Sequence, residues 1–167
     1  MAKIAIIYGS TTGNTESAAT QIAEALSSHE VETMDVSSLS AATLEQYSNL
    51  IIGASTWGCG DLQDDWDAEL STLKGADLSG KKVAIFGCGD SGSYPDSFVD
   101  GIGTLYEAAT AAGAEIIGKV PASDYSYSSS IAEVEGEFVG LPLDDDSMDK
   151  NDDRIASWVE SISPLFE

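Results

Sequence analysis

The chain has 167 residues, 43% of them hydrophobic, and this length and composition suit one domain with a sizeable core. Its charge is extreme, because 29 Asp and Glu residues outnumber seven Lys and Arg residues and give a formal net charge of −22. Such a surface excludes nucleic acid and anionic membranes as partners and favours basic proteins, while an adaptation for solubility explains the charge equally well.

In chain order, apolar runs and helical spacings alternate from the first residues to the last. Strands are predicted over residues 4–7, 31–36, 50–54, 83–87 and 115–120. Helices are predicted where apolar residues recur at helical spacing, over residues 18–26, 62–73, 98–112 and 155–162. Gly113 should end the third helix, and residues 151–153 suit the first turn of the last one. Leu44 and Tyr47 fall in a short connecting segment.

This alternation predicts an α/β fold of parallel strands joined by right-handed crossovers. The strands are apolar along their whole length, so helices should cover both faces of the sheet, with Trp66 and Trp158 in the core. The segment 121–137 does not fit the alternation, and residues 138–141 then look like more strand. We find neither a repeat nor a linker and expect a single domain over residues 1–167.

The sequence also bears on the compartment of the protein. It holds no apolar run long enough to span a membrane, and the first strand begins too early to leave room for a signal peptide. Cys59 and Cys88 are too few for a disulfide framework and are expected as reduced thiols. No spacing of His, Cys and carboxylates suggests a metal site, and His29 is expected at the surface. These features predict a cytoplasmic protein without membrane insertion.

The loop between the first strand and the first helix reads Tyr8-Gly9-Ser10-Thr11-Thr12-Gly13-Asn14-Thr15. A helix N-terminus attracts anions through its free N–H groups and its dipole, and the two glycines let the backbone curl around a ligand. The loop holds hydroxyl and amide side chains but no Lys or Arg, so neutral donors would bind a phosphate. It lacks both the Walker ending and the three glycines of the dinucleotide fingerprint. An ordinary turn that caps a helix is the alternative.

Together with two later segments, this loop resembles flavodoxin. The later segments are Ser55-Thr56-Trp57-Gly58 and Phe86-Gly87-Cys88-Gly89-Asp90, with Tyr94 shortly after. The three motifs occur in the family's order and spacing, and the resemblance covers essentially the whole chain. It implies a doubly wound, five-stranded parallel sheet of order 2-1-3-4-5, with helices on both faces and the three loops together at the carboxyl ends of the strands. The segment 121–137 is similar to the insertion that splits the last strand of long-chain flavodoxins.

The resemblance implies non-covalently bound FMN, with its phosphate in the first loop and its flavin ring between Trp57 and Tyr94. Gly58 is expected near N5 of the ring, although many long-chain members carry Asn at that position. The residues expected to bind the cofactor are Ser10, Thr11, Thr12, Gly13, Asn14, Thr15, Ser55, Thr56, Trp57, Gly58, Cys59, Gly60, Cys88, Gly89, Asp90, Tyr94, Ser97 and Asp146. Asp146 fits a place near the ribityl chain in some members, but it also fits a solvated run of charge.

The implied function is that of a low-potential one-electron carrier and not of an enzyme. As a monomer, it would serve larger redox proteins such as ferredoxin–NADP reductase, photosystem I and other oxidoreductases. The alternative is an FMN-dependent NAD(P)H:quinone reductase of related fold, although the charge of −22 opposes the approach of anionic NADPH. A phosphoacceptor signalling domain of the same topology is disfavoured, because the first strand ends in Tyr8-Gly9-Ser10 and not in an acidic cluster.

Overall fold

Residues 3–9, 14–57, 61–62, 64–94, 96–144 and 148–166 are described by the computed structural model. Strands and helices alternate along these ranges. The elements are β1 (Lys3–Gly9), α1 (Asn14–Ala25), β2 (Glu30–Asp35), α2 (Ala41–Gln46), β3 (Asn49–Trp57), β4 (Asp61–Leu62), α3 (Asp64–Gly75), β5 (Lys82–Gly89), α4 (Asp100–Ala111), β6 (Glu115–Ile117), β7 (Val120–Pro121), β8 (Glu133–Val134), β9 (Glu137–Phe138), β10 (Leu141–Asp144) and α5 (Met148–Ile162).

The main sheet has the strand order β2-β1-β3-β5-β10, and all four of these pairings are parallel. This is the predicted doubly wound order 2-1-3-4-5, which is therefore confirmed. The fifth place in the sheet is shared by two segments. β6 pairs with the first half of β5, where Lys82 faces Glu115, and β10 pairs with the second half, where Phe86 faces Leu141.

The prediction of a single strand over 115–120 was wrong at its end. β6 stops at Ile117 because Gly118 has a φ of +81°, a left-handed conformation that turns the chain away from the sheet. Val120 then pairs with Phe138 in a separate antiparallel sheet of order β7-β9-β8. The residues between β6 and β10 thus form a small layer of their own beside the edge of the main sheet.

Alternate side chains of the central strands contact opposite helical layers, as the period of two in a strand requires. Ile4 and Ile6 of β1 pack with residues of α1 and α5, whereas Ala5 and Ile7 pack with residues of α3 and α4. Trp66 is completely buried in the second layer and Trp158 is 4% exposed in the first, so the prediction that both belong to the core is confirmed. Helices therefore cover both faces of the sheet.

Two of the predicted helices begin two residues later than expected. α3 begins at Asp64, because Leu62 belongs to β4 and pairs with Thr56, and α4 begins at Asp100.

Two further helices differ from the predictions. Residues near Leu44 form the helix α2 because the Ser40 side chain caps it and accepts a hydrogen bond from the Thr43 backbone N–H at 3.2 Å. α5 begins at Met148, three residues before its predicted first turn. None of the helices in the described ranges combines the length and the apolar character that crossing a bilayer requires.

His29, which was predicted at the surface, is only partly exposed there. Its Nε2 atom lies 2.9 Å from Ser163 Oγ, and its ring meets the edge of Phe166 at a centroid distance of 6.2 Å. The turn that follows α5 packs over the end of α1 and leaves this imidazole half-buried.

Candidate functional site

The carboxyl ends of β1, β3 and β5 lie side by side at one edge of the main sheet. Gly9 at the end of β1 faces Ala54, Ala54 in turn faces Gly87, and Ser55 faces Cys88. Neighbouring strands are about 4.8 Å apart, so the three predicted loops start within two strand spacings of one another. β1 lies where the strand order reverses direction, which is where ligands bind in doubly wound sheets.

The first turn of α1 is joined to the end of β3 by a pair of hydroxyl groups. Thr15 Oγ1 lies 2.6 Å from Ser55 Oγ, and the two residues are 0% and 7% exposed. One hydroxyl must donate and the other accept, so one of the two hydroxyl hydrogens stays available for a further acceptor. The pair fixes the start of α1 relative to the sheet and can donate to an anion held by the first loop.

Thr56, near the end of β3, caps the N-terminus of α4. Its Oγ1 accepts a hydrogen bond of 2.8 Å from the backbone N–H of Gly101 in the first turn of α4. The residue that precedes α4, Val99, has a φ of +47° and a side chain that cannot cap the helix. Thr56 therefore supplies the missing cap from the neighbouring strand and positions α4 against the site.

The loop after β5 is folded around the Asp90 side chain. Asp90 Oδ1 accepts hydrogen bonds from the backbone N–H groups of Gly92 and Ser93, each at 3.0 Å, and the Tyr94 N–H donates to the Asp90 carbonyl at 2.8 Å. Asp side chains commonly stabilise turns in this way. The turn leaves Tyr94 46% exposed at the surface, where a flat ring system could stack on it.

Asp144 is a residue of this site that the sequence prediction missed. It ends β10 with only 2% exposure, and its carboxylate accepts from Ser91 N at 3.1 Å and from Ser91 Oγ at 2.5 Å. Asn151 of α5 holds the backbone of Asp144, donating to its carbonyl at 3.4 Å and accepting from its N–H at 3.2 Å. The signal in the sequence was an acidic run directly after an apolar strand, but the prediction selected Asp146 from it.

Cys88 and Ser97 are buried, with exposures of 6% and 8%. The Cys88 side chain packs into the core layer formed with α1 and α5, so Cys88 can serve a ligand only through its backbone. Other predicted residues lie outside the described residues, namely Ser10, Thr11, Thr12, Gly13, Gly58, Cys59, Gly60 and Asp146, together with the side chains of Asn14 and Trp57. Their roles stay predictions.

The site is bordered by negative charge. Burial, followed by the negative charges of Glu16 and Asp35, raises the pKa of Tyr8 near the end of β1. Burial also raises the pKa of Asp100 at the start of α4, although hydrogen bonds from Ile131 N at 2.9 Å and from the Ser130 side chain oppose this shift. The phenol of Tyr8 therefore stays neutral at physiological pH.

Comparison with known proteins agrees with this architecture. The sequence pattern of the family described as Flavodoxin matches residues 6–158. A flavodoxin of Picosynechococcus sp. is 40% identical over 168 residues, which cover 99% of this chain and 99% of the relative. A flavodoxin of Nostoc sp. is 42% identical over 165 residues, which cover 98% of this chain and 97% of the relative.

The backbone of this chain also matches those of solved flavodoxin structures. The crystal structure of Fusobacterium nucleatum flavodoxin bound to flavin mononucleotide has a TM-score of 0.94 to this chain at 27% identity, with 100% of both chains covered. The residues matched by the family pattern begin in β1, end in α5 and include all three loops of the site. This chain belongs to the flavodoxin family.

Proposed function

We propose that the protein is a low-potential electron carrier that binds FMN without a covalent bond at the carboxyl edge of its sheet. The observation that carries this proposal is that β1, β3 and β5, the strands that the three motif loops follow, end side by side at that edge in a chain of the flavodoxin family. A relative whose structure matches the whole chain is bound to flavin mononucleotide, which supports the same cofactor here.

The donors of the site fit a phosphate group that is bound by hydrogen bonds and not by a counter-charge. The segments 8–16, 55–60 and 88–97 contain no Lys or Arg, whereas they contain many hydroxyl groups. The buried hydroxyl pair of Thr15 and Ser55 and the first N–H groups of α1 lie next to the first loop. Helix N-termini bind phosphate through such N–H groups without help from a cation.

When bound, FMN supplies the one-electron chemistry, and the chain holds it and controls access to it. The Asp90 turn and the hydrogen bonds that Ser91 donates to Asp144 fix the loop that carries Tyr94. Because Tyr94 is 46% exposed, this side of the site lies at the molecular surface, where a partner protein can approach it. The working contact is therefore with another protein and not with a substrate enclosed in a pocket.

We infer that the partners are redox proteins with basic docking surfaces, for example ferredoxin–NADP reductase or photosystem I. The net charge of −22 supports electrostatic attraction to such surfaces. The small number of cysteines supports a reducing compartment, and we propose that the protein works in the cytoplasm as a monomer.

The visible spectrum of the purified protein tests the cofactor. Oxidised flavin absorbs at about 370 and 450 nm, and both bands should appear in the protein and return when the apoprotein is mixed with FMN. Riboflavin, which lacks the phosphate, should bind much more weakly than FMN. A colourless protein that takes up no FMN would contradict the proposal.

A further inference from the structure

A second cavity lies outside the proposed FMN site, between α5 and the residues that follow β6. Its volume is about 580 Å³, within the range of about 300–1,000 Å³ that is usual for pockets that hold small organic ligands. Leu141 and Trp158 contribute apolar surface to it, and both are largely buried in the core. Leu141 comes three residues before Asp144, a separation of about 10 Å along β10, so the cavity is distinct from the site edge.

The residues that line this cavity carry a net positive charge, whereas the whole chain is strongly negative. Lys119, Lys150 and Arg154 line it, and they are three of only seven basic residues in the chain. Among the described residues of the lining, Asp153 is the one acidic side chain, so three positive groups and one negative group leave a formal charge of +2. A chain with a net charge of −22 thus gathers nearly half of its cations around a single cavity.

Arg154 is held in place by an aromatic ring. Its guanidinium carbon lies 4.1 Å from the centroid of the Tyr125 ring, and the Tyr125 hydroxyl donates to the Pro142 carbonyl at 2.8 Å. A cation on the face of an aromatic ring is attracted to it, and Arg154 also donates one N–H to Asn151 Oδ1 at 3.5 Å. A guanidinium has five N–H groups, so Arg154 can bind an oxyanion in addition to these contacts. The cation is therefore oriented before any ligand arrives, which lowers the entropy lost on binding.

Hydroxyl groups extend the basic surface along α5. Ser157 and Ser161 also line the cavity, and with Lys150 and Arg154 they follow the spacing of residues on one side of a helix. Val120 and Pro121 of β7 also line the cavity. The α5 part of the lining can thus donate hydrogen bonds to an anion, while β7, Leu141 and Trp158 offer apolar contact.

We propose that this cavity binds a small phosphorylated organic molecule of about nucleotide size. A phosphomonoester carries a charge of roughly −1.5 to −2 at neutral pH, which balances the +2 of the lining. Arg and Lys are suited to phosphate oxygens, and the apolar surface of Leu141, Trp158 and β7 can contact the organic part of the ligand. This inference goes beyond the proposed electron-carrier function and does not depend on it.

Adenosine 5′-monophosphate is the probe, and adenosine, which lacks the phosphate, is its matched control. Both are titrated into the FMN-loaded protein after free FMN has been removed, and ¹H–¹⁵N spectra are recorded. The nucleotide should shift the Trp158 indole N–H signal and the amide signals of Lys119, Ser157 and Ser161 in a saturable way, while adenosine binds at least about tenfold more weakly. The flavin absorbance should stay unchanged, which separates this site from the phosphate loop.

Charge-neutralising variants test the lining. Lys119→Gln and Lys150→Gln should each weaken binding of the nucleotide by about threefold, as expected for exposed ion pairs, and the double variant by about tenfold. Lys74→Gln, which removes an exposed cation outside the cavity, should leave the affinity unchanged. Three outcomes would overturn the proposal: no saturable shift at millimolar nucleotide, shifts confined to the loops that follow β1, β3 and β5, or equal affinity in the double variant. If the protein takes up no FMN, the proposed function fails, but the titration remains decisive for this cavity.

Discussion

Thr15 tests the phosphate site at the scale of a single residue. Replacing Thr15 by Val keeps the shape of the side chain but removes the hydroxyl that lies 2.6 Å from Ser55 Oγ. If that hydroxyl pair donates to the FMN phosphate, the affinity for FMN should fall by about 1.5–3 kcal/mol, the usual value for a hydrogen bond to a charged group. Calorimetric titration of the apoprotein measures this change.

Thr15→Ser is the matched control, because it retains the hydroxyl and should bind FMN almost as well as the parent chain. Riboflavin supplies the second comparison. An equal loss of affinity for FMN and riboflavin in Thr15→Val would mean that Thr15 supports the fold of the site and does not act on the phosphate.

Asp144 is the second residue whose role can be isolated. Its buried carboxylate accepts two hydrogen bonds from Ser91, so Asp144→Ala should lower the free energy of unfolding by about 1.5–3 kcal/mol and weaken FMN binding through the loop that carries Tyr94. In a double-mutant cycle with Ser91→Ala, the two losses of stability should be non-additive by about 0.5–3 kcal/mol. Asp96→Ala, at an exposed position a few residues along the same loop, is the control and should have little effect. Strictly additive losses would contradict the coupling.

At the scale of elements, Tyr47 connects the end of α2 to the edge strand β2, and this contact can be tested by its dependence on pH. Its hydroxyl donates to the Glu32 carboxylate. This bond, with burial and the charges of Glu32 and Glu30, raises the pKa of Tyr47 to about 12. The pKa of tyrosine in an unfolded chain is about 10, so between these values the folded state binds more protons than the unfolded state. The stabilisation is complete below about pH 10 and is lost as the pH rises through about 12.

Denaturant titrations between about pH 8 and 12 measure this effect. Across this range the free energy of unfolding of the parent chain should fall by about 1–3 kcal/mol more than that of the Tyr47→Phe variant, which lacks the ionisable hydroxyl. Glu32→Gln keeps the tyrosine and removes the carboxylate, and should show a smaller pH-dependent loss than the parent. A parent chain and a Tyr47→Phe variant with the same pH dependence would rule out this role for the bond.

The elements that the sequence predicted are those with strong local signals. The central strands are apolar on both faces, so their runs were recognisable without a structure, whereas their order was implied by the resemblance to flavodoxin. The end of β6 depended on the positive φ of Gly118, and β7 depended on pairing with Phe138 more than ten residues later. Neither feature leaves a periodic pattern, because each is set by tertiary contacts.

In the candidate site, too, features with a local sequence signal were predictable and features set by distant contacts were not. Its loops were recognisable because three motifs follow strands whose carboxyl ends must meet. The contact between Asp144 and Ser91 joins residues that are 53 positions apart, and nothing local distinguishes Asp144 from the acidic residues that follow it. Thr56 stays a predicted cofactor-binding residue, but the hydrogen bond that its Oγ1 accepts from the Gly101 N–H joins residues 45 positions apart and could not be predicted from local sequence.

For the whole molecule, the charge of −22 should govern the rate at which the protein meets its partners. Association with a basic redox partner should be fast at low ionic strength and should slow as salt is added, because opposite charges attract over distances set by the Debye length. That length falls from about 10 Å at 0.1 M to about 3 Å at 1 M. Stopped-flow electron transfer between the FMN-loaded protein and ferredoxin–NADP reductase measures the rate.

A neutral small-molecule reductant is the control, because its encounter with the same flavin site involves no attraction between net charges and its rate should change little with salt. The comparison also separates the two explanations of the acidic composition. Electrostatic docking requires the partner reaction, and not the control, to slow with salt. If both rates are independent of salt while the protein loses solubility as its acidic residues are neutralised, the charge serves solubility and the docking prediction is wrong.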